Sequence, residues 1–235
     1  MNKLSQFIDR HLGIIFLIPG LSIIIFILAY PVITNIFISF TNKHLIYPGY
    51  KFVGFENFIT ILNEEIFTKA MINTFVFTFA SIFFQLFIGL ITAMILNKQL
   101  KGIIFFRLAL IIPYAFPPII IALLWKWLLS KMYGVYNFFL IFLNIIEQPI
   151  PWLGSPDYSM TAVVVVNVWF GFPLFTLGIL AGLQSIPTEQ YEVARIEGAN
   201  WYQTFWYVTL PNILTIVGII IILRTIWVFN TFDLI

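Results

Sequence analysis

The feature that most constrains this chain is a set of long, nearly uninterrupted apolar stretches. Five of them lie along the sequence, at residues 12–40, 69–96, 103–129, 160–186 and 212–231. Each has about the 20 residues that an α-helix needs to cross a hydrocarbon layer of about 30 Å. The strands of an outer-membrane barrel would instead alternate apolar and polar residues. The sequence therefore predicts an all-α polytopic transmembrane helical bundle, with residues 1–235 forming a single domain.

The composition excludes several other classes of protein. Only 9% of the residues are charged and 61% are hydrophobic, whereas about a quarter are charged in a soluble domain. The net charge of +2 comes without a basic cluster, so no nucleic-acid partner is expected. The chain has no cysteine, its two histidines lie near opposite ends of the first span, and no glycine precedes a lysine as in a P-loop. We therefore expect no metal, no cofactor and no ATP site in this chain.

The distribution of Lys and Arg near the span ends predicts the orientation. The basic residues on one side are Lys3 and Arg10 in the N-terminal tail and Lys98, Lys101 and Arg107 around a short loop. The basic residues of the opposite side are spread over longer loops and balanced by acidic ones. Because short cytoplasmic loops carry an excess of positive charge, the N-terminus is predicted to be cytoplasmic. Residues 187–211, between the last two spans, then also lie in the cytoplasm.

Residues 187–211 carry the signals of two short helices joined by a turn. Ser185 or Thr188 is expected to cap the first helix, and Gly198 to end it, because glycine adopts the left-handed conformation without a Cβ penalty. Asn200 is expected to cap the second helix, with Gln203 as the partner in a capping box. Pro211 would end that helix and open the last span.

The residues of this segment resemble a known family motif. Glu192-Val193-Ala194 is followed by Gly198 and then by Val208, Leu210 and Pro211. This spacing resembles the E-A-A-x3-G-x9-I-x-L-P loop of binding-protein-dependent ABC importer permeases. The resemblance implies a type I ABC importer permease fold, in which this loop docks into a cytoplasmic ATPase subunit. It assigns Glu192, Ala194, Gly198, Leu210 and Pro211 to the ATPase-coupling loop.

Other parts of the chain resemble the sugar-importing branch of that family. The similar segments are residues 52–58, 106–107, 180–187 and 229–233, together with Trp125, Gly134 and Asn137. The resemblance implies a second homologous permease subunit, ATPase subunits that bind the ATP, and an extracytoplasmic solute-binding protein as partners. It also implies that the chain is not itself an enzyme.

The sequence departs from this family at its end. The family has a sixth span after the Phe232-Asp233 pair, and this sequence stops at Ile235. Either the sequence is a fragment or it is a truncated gene product. With five spans and nothing more, the C-terminus would lie outside and transport competence would be in doubt.

Polar residues within the spans are the candidates for a substrate path. Asn73, Gln85, Asn167 and Trp169 could line a sugar path, because amides and aromatic faces bind sugars. The alternative is that they form interhelical hydrogen bonds or an interfacial aromatic belt. Arg224 lies 13 residues beyond Pro211, where a charge is costly. It either faces a polar cavity or extends to the external interface near Asp233.

These observations predict the permease subunit of an ATP-driven sugar or oligosaccharide importer in the cell membrane. One alternative has the same architecture importing glycerol phosphate or another small polar solute. An ion-coupled secondary transporter is a further alternative, and it would need carboxylates inside the spans, which the sequence lacks.

Overall fold

The computed structural model describes residues 3–44, 46–98 and 101–230, with side chains described from residue 12 onward except residue 15. Phe232 and Asp233 lie outside the described residues. The α-helices in chain order are α1 Lys3–Ile24, α2 Tyr30–Ser39, α3 Glu56–Asn63, α4 Glu65–Leu96, α5 Ile103–Ile111, α6 Pro118–Leu128, α7 Val135–Phe142, α8 Pro156–Ser185, α9 Thr188–Ile196, α10 Trp201–Thr204 and α11 Leu210–Phe229. Two π-helical turns, Ile25–Ala29 and Phe205–Thr209, and a 3-10 turn, Ile112–Ala115, interrupt these helices. By their internal contacts, residues 1–70 and 71–235 form two compact units.

In the first unit, an apolar helix leads into a short amphipathic one. Residues Leu12–Ser39 run through α1, a π turn and α2 as one candidate span. Thr41 then pairs with Phe52 in an antiparallel bridge, and the Phe40 ring packs against Phe52 and Phe58. Asn57 of α3 donates 2.9 Å hydrogen bonds to the carbonyl oxygens of Ser39 and Thr41. These two hydrogen bonds fasten the short helix α3 to the end of α2 and the residues after it.

Four of the described helices are long and apolar enough to cross a membrane, or five if one bent pair counts as a span. The four are Leu12–Ser39, Glu65–Leu96, Pro156–Ser185 and Trp201–Phe229. The bent pair lies within the apolar stretch at residues 103–129 that was predicted as the third span. Its two arms, Ile103–Ala115 and Pro118–Leu128, meet at 100°. Prolines 113, 117 and 118 explain the break, because each removes a backbone donor and proline disfavours helix before it.

The core of the second unit forms where α4, α8 and α11 pack together. Phe175, Ile179 and Ile213 are completely buried there. A Cβ on Gly178 would collide with the Ile220 side chain, and one on Gly182 would lie 3.2 Å from Ile216. These two glycines, four residues apart on α8, therefore allow α8 and α11 to pack closely. These three helices position the polar residues described below.

Candidate functional site

The turn after α9 has the geometry that the sequence predicted. Gly198 has a φ of +77° and lies just past the end of the helix. The Gly198 N–H donates to the Arg195 carbonyl at 3.1 Å, and the Ala199 N–H to the Ala194 carbonyl at 2.9 Å. This pair of hydrogen bonds is a Schellman motif, which satisfies carbonyls that the helix end leaves free. The chain therefore reverses at Gly198 without strain.

The helix starts on either side of this turn differ from each other. Asn200 accepts from the Gln203 N–H and Gln203 Oε1 accepts from the Asn200 N–H, each at 2.9 Å, so the predicted capping box is confirmed. The prediction that Ser185 or Thr188 caps α9 is wrong. Pro187 holds the N-cap position without a side-chain bond, and the Ser185 hydroxyl donates to the Gly182 carbonyl at the end of α8.

The second helix of the segment does not stop at Pro211. It continues from Trp201 through the π turn Phe205–Thr209 into α11 and ends at Phe229. The Leu210 N–H donates to the Phe205 carbonyl, one residue farther back than in an α-helix. This wider turn lies directly before Pro211, whose missing N–H is tolerated in the first turn of α11. The prediction that Pro211 separates two helices is therefore wrong.

The predicted coupling residues divide into exposed and buried positions. Glu192, Gly198 and Pro211 are exposed, whereas Ala194 is buried and Leu210 is half-buried. An acidic and apolar surface surrounds the exposed positions, with Ile196 86% and Trp201 72% exposed. Large exposed apolar side chains on a polar helix mark an interaction surface.

Two hydrogen bonds, hereafter the clamp, fasten α9 to the beginning of α11. Asn212 Nδ2 donates to Gln190 Oε1 at 2.9 Å, and the hydroxyls of Tyr191 and Thr209 lie 3.3 Å apart. Nothing in the sequence motif indicated these four residues. The clamp therefore joins α9 to the π turn before α11 and to α11 itself.

Deeper in the bundle, three of the predicted path residues form one buried polar cluster. Arg224 Nε donates to Gln85 Oε1 at 2.9 Å, and Arg224 Nη2 donates to Asn167 Oδ1 at 3.1 Å. Gln85 Nε2 in turn donates to the Asn167 backbone carbonyl at 2.9 Å. All three side chains are at most 4% exposed. The polar cluster therefore joins α4, α8 and α11, and Arg224 does not extend to the interface.

Neighbours on α8 and at the break after α5 complete the environment of the polar cluster. The Arg224 guanidinium carbon lies 5.7 Å from the centre of the Phe170 ring, which stacks on Tyr114 at 5.2 Å. A Cβ on Gly171 would collide with the side chains of Gln85 and Arg224. The only sequence signal for this position is that Gly171 follows Phe170 and lies four residues after Asn167.

The two remaining path candidates lie apart from the polar cluster. Asn73 is exposed and lies 12 residues before Gln85 on α4, about 18 Å along the helix. Trp169 packs edge-on against Trp125 at 5.5 Å and borders an apolar groove. The structure therefore brings together Gln85, Asn167 and Arg224 only. Within the described residues, no group of three His, Cys, Asp or Glu side chains forms a metal site.

The fold and the buried polar cluster define a polytopic helical membrane protein. Residues 85–235 match the family described as "Binding-protein-dependent transport system inner membrane component". The chain is 35% identical over 227 residues to the trehalose/maltose transport system permease protein MalF of Thermococcus litoralis, covering 97% of this chain and 76% of that protein. The chain belongs to this family, whose members are permease subunits of ABC transporters and not enzymes.

Solved structures share the fold. A bacterial ABC transporter involved in the import of the acidic polysaccharide alginate matches with a TM-score of 0.80 and 22% identity, over 98% of this chain and 78% of that one. A bacterial alginate ABC transporter in complex with an alginate pentasaccharide-bound periplasmic protein matches with a TM-score of 0.77 and 23% identity, over 95% and 74%. The predicted ABC importer permease fold is confirmed, and an ion-coupled secondary transporter is not supported.

Proposed function

We propose that this chain is the permease subunit of an ATP-driven importer of a sugar or oligosaccharide. Support comes from similar proteins: one is named as a trehalose/maltose transport system permease, and another as an ABC transporter involved in alginate import. The observation that carries the proposal is the exposed α9 turn, in which the family motif stands on a helix fastened to a membrane span. The substrate class rests on relatives, and the coupling role rests on this geometry.

Residues 187–211 form the cytoplasmic coupling loop in this proposal. Glu192 and Gly198 face outward, where an ATPase subunit can contact them, and Ala194 anchors the helix from its buried face. Leu210 and Pro211 join the loop to α11. ATP-driven closure of the ATPase pair would push on α9. The clamp would pass this movement to α11.

The polar cluster is the proposed substrate path. Gln85 and Asn167 offer amide groups, Arg224 offers further N–H donors, and the Phe170 ring offers an apolar face. These are the groups that bind sugar hydroxyls and sugar rings. In the described state they bond to one another, so sugar hydroxyls would have to exchange with these internal hydrogen bonds. Trp169 and Asn73 would then contribute outside the cluster.

The remaining parts of the assembly follow from the family. We expect a second homologous permease, ATPase subunits that bind the ATP, and an extracytoplasmic solute-binding protein, with the N-terminus in the cytoplasm. The loop between α4 and α5 supports this orientation. Its Lys98 borders the same small cavity as Tyr191 and Trp201, so the basic loop and residues 187–211 lie at one membrane surface.

One observation favours the alternative of an anionic cargo such as glycerol phosphate. Arg224 is a buried cation, and among the described residues no carboxylate forms an ion pair with it. An anionic substrate would supply the missing charge. Uptake of maltose, trehalose and glycerol phosphate, each with its cognate binding protein, distinguishes the two cargoes.

The coupling role is tested by replacing Gly198 with Asp. We expect Gly198→Asp to insert in the membrane at the normal level and to lose most sugar uptake, because the substitution strains the turn and adds charge at the docking face. Gly154→Asp is the matched control. This glycine lies in the loop before α8, at the end of α8 opposite to residues 187–211, and a Cβ added to it would have its nearest neighbour at 3.7 Å. Full uptake by Gly198→Asp would contradict the coupling role.

A further inference from the structure

An apolar groove runs along one side of the second unit, between α4, α5 and α8. It encloses about 560 Å³, which lies within the range of small-molecule sites. Its walls include Ile95, Ile103, Phe106, Trp169 and Phe172. One end reaches the loop between α4 and α5, and the other reaches the break at residues 112–113.

The length of the groove corresponds to one leaflet of a membrane. The wall formed by α5, Ile103–Ile111, has nine residues and is therefore about 14 Å long. This is about half of a hydrocarbon core of about 30 Å. Trp169 lies near the middle of α8, so the end of the groove next to Trp169 lies close to the membrane midplane. The end next to Lys101 lies at the membrane surface, on the side of residues 187–211.

The chemistry of the lining does not suit a sugar. Thr92 is a polar residue of the wall, but its hydroxyl donates to the Ile88 carbonyl at 2.8 Å. Lys101 stands exposed at the surface end, and among the described residues no carboxylate forms an ion pair with it. The nearby Arg107 lies outside the groove wall, where its Nη2 donates to the Leu96 carbonyl at 3.0 Å and its buried Nε has no partner among the described residues. The groove is thus an apolar slot with a cation at its mouth.

We propose that this groove binds an anionic phospholipid, with one acyl chain in the slot and the phosphate at Lys101. An acyl chain is apolar and spans one leaflet, as the groove does. A basic residue at the membrane surface attracts an anionic headgroup. The groove shares Trp169 with the proposed sugar path but contains no residue of the polar cluster or of the coupling loop, so it adds a lipid ligand to the proposed transport function.

The test measures lipid retained by the full chain, with the subunits that accompany it. The protein is purified from nanodiscs of phosphatidylcholine and phosphatidylglycerol in equal amounts, and bound lipid is counted by native mass spectrometry. We expect phosphatidylglycerol to be enriched. Lys101→Gln should reduce that enrichment about fivefold, the factor expected for one basic residue at the surface. Lys98→Gln, on the same loop but outside the groove wall, should keep it.

A second variant tests the slot itself. Ala109→Phe fills the groove and should lower the amount of both lipids, whereas Leu108→Phe, an exposed neighbour outside the wall, should not. Equal retention of the two lipids, or equal losses in Lys98→Gln and Lys101→Gln, would overturn the proposal. The chain has no cysteine, so an Ala109→Cys variant gives one reactive site. Its cross-linking to a second copy or another permease would show that a protein fills the groove and would also overturn the proposal.

Discussion

At the scale of single residues, the central feature is a buried arginine whose hydrogen-bond partners are neutral amides. Arg224 is 4% exposed and donates to the amide oxygens of Gln85 and Asn167. Burying a charge is costly unless its donors find acceptors, and hydrogen bonds to charged groups are among the stronger ones. The Phe170 ring adds a cation–π contact. The polar cluster therefore depends on each of its members and on the space around them.

The close approach at Gly171 gives the first residue-scale prediction. Gly171→Ala should destabilise the protein by about 1–3 kcal/mol, because the added methyl would press on Gln85 and Arg224. Gly218→Ala in α11 is the control, since nothing lies within 4 Å of its Cβ position. It should be neutral or stabilising. Thermal unfolding in detergent measures both, and equal stability of the two variants would contradict the described packing.

The sequence predicted the residues of the polar cluster but not their grouping. A polar residue within an apolar span is visible from the sequence alone, so Gln85, Asn167 and Arg224 were identified. Which of them meet depends on the rotation and depth of each helix, which composition does not specify. Asn73 and Trp169 were predicted on the same grounds and lie elsewhere. In the sequence, Phe170 and Gly171 stand among apolar residues, and the four-residue spacing of Gly171 from Asn167 is the only signal of their role.

At the scale of secondary-structure elements, local rules predicted the turn at Gly198 and the cap at Asn200 but not the start of α9 at Pro187. The left-handed Gly198 and the box between Asn200 and Gln203 depend on neighbouring residues only, and both were predictable. The continuity of the helix from Trp201 to Phe229 was not predictable, because the π turn accommodates Pro211 and the composition gives no signal for such a turn. The 100° angle within the third span was also not predictable, because prolines permit a break without specifying its angle.

The capping box gives the element-scale prediction. Asn200→Ala should cost about 0.5–2 kcal/mol of local helix stability, because the N–H of Gln203 loses its acceptor. Hydrogen exchange at the amides of α10 should become faster. Asn200→Asp should restore slow exchange, since a carboxylate also accepts this bond and suits a helix N-terminus. Unchanged exchange in Asn200→Ala would mean that the box does not hold this helix start.

At the scale of the whole molecule, a physical connection leads from the exposed turn to the membrane core. The clamp ties α9 to the beginning of α11. Farther along α11, the polar cluster ties Arg224 to α4 and α8. In the proposed coupling, a force applied to α9 would reach three membrane helices through these side-chain hydrogen bonds and one continuous helix. This connection is the structural basis of the proposed coupling.

The clamp gives a prediction about coupling without loss of docking. The double variant Tyr191→Phe, Gln190→Ala removes both hydrogen bonds and leaves the exposed residues Glu192, Ile196 and Gly198 unchanged. It should still co-purify with the ATPase subunit, whereas sugar uptake per ATP hydrolysed should fall severalfold. Glu189→Gln, on the same helix but outside the clamp, is the control and should retain the normal ratio. Normal coupling in the double variant would contradict the proposed transmission.

The most direct test of the central claim is site-specific cross-linking from the α9 turn. The chain lacks cysteine, so Ile196→Cys places one thiol on a side chain that is 86% exposed. The control is Asp157→Cys, at the other end of the 30-residue helix α8. We predict that Ile196→Cys cross-links to the ATPase subunit in membranes and reacts with an impermeant maleimide only after permeabilisation. Asp157→Cys should not cross-link to the ATPase subunit and should react with the maleimide in intact cells. Labelling of Ile196→Cys from outside intact cells, or absence of any cross-link to the ATPase, would contradict the account.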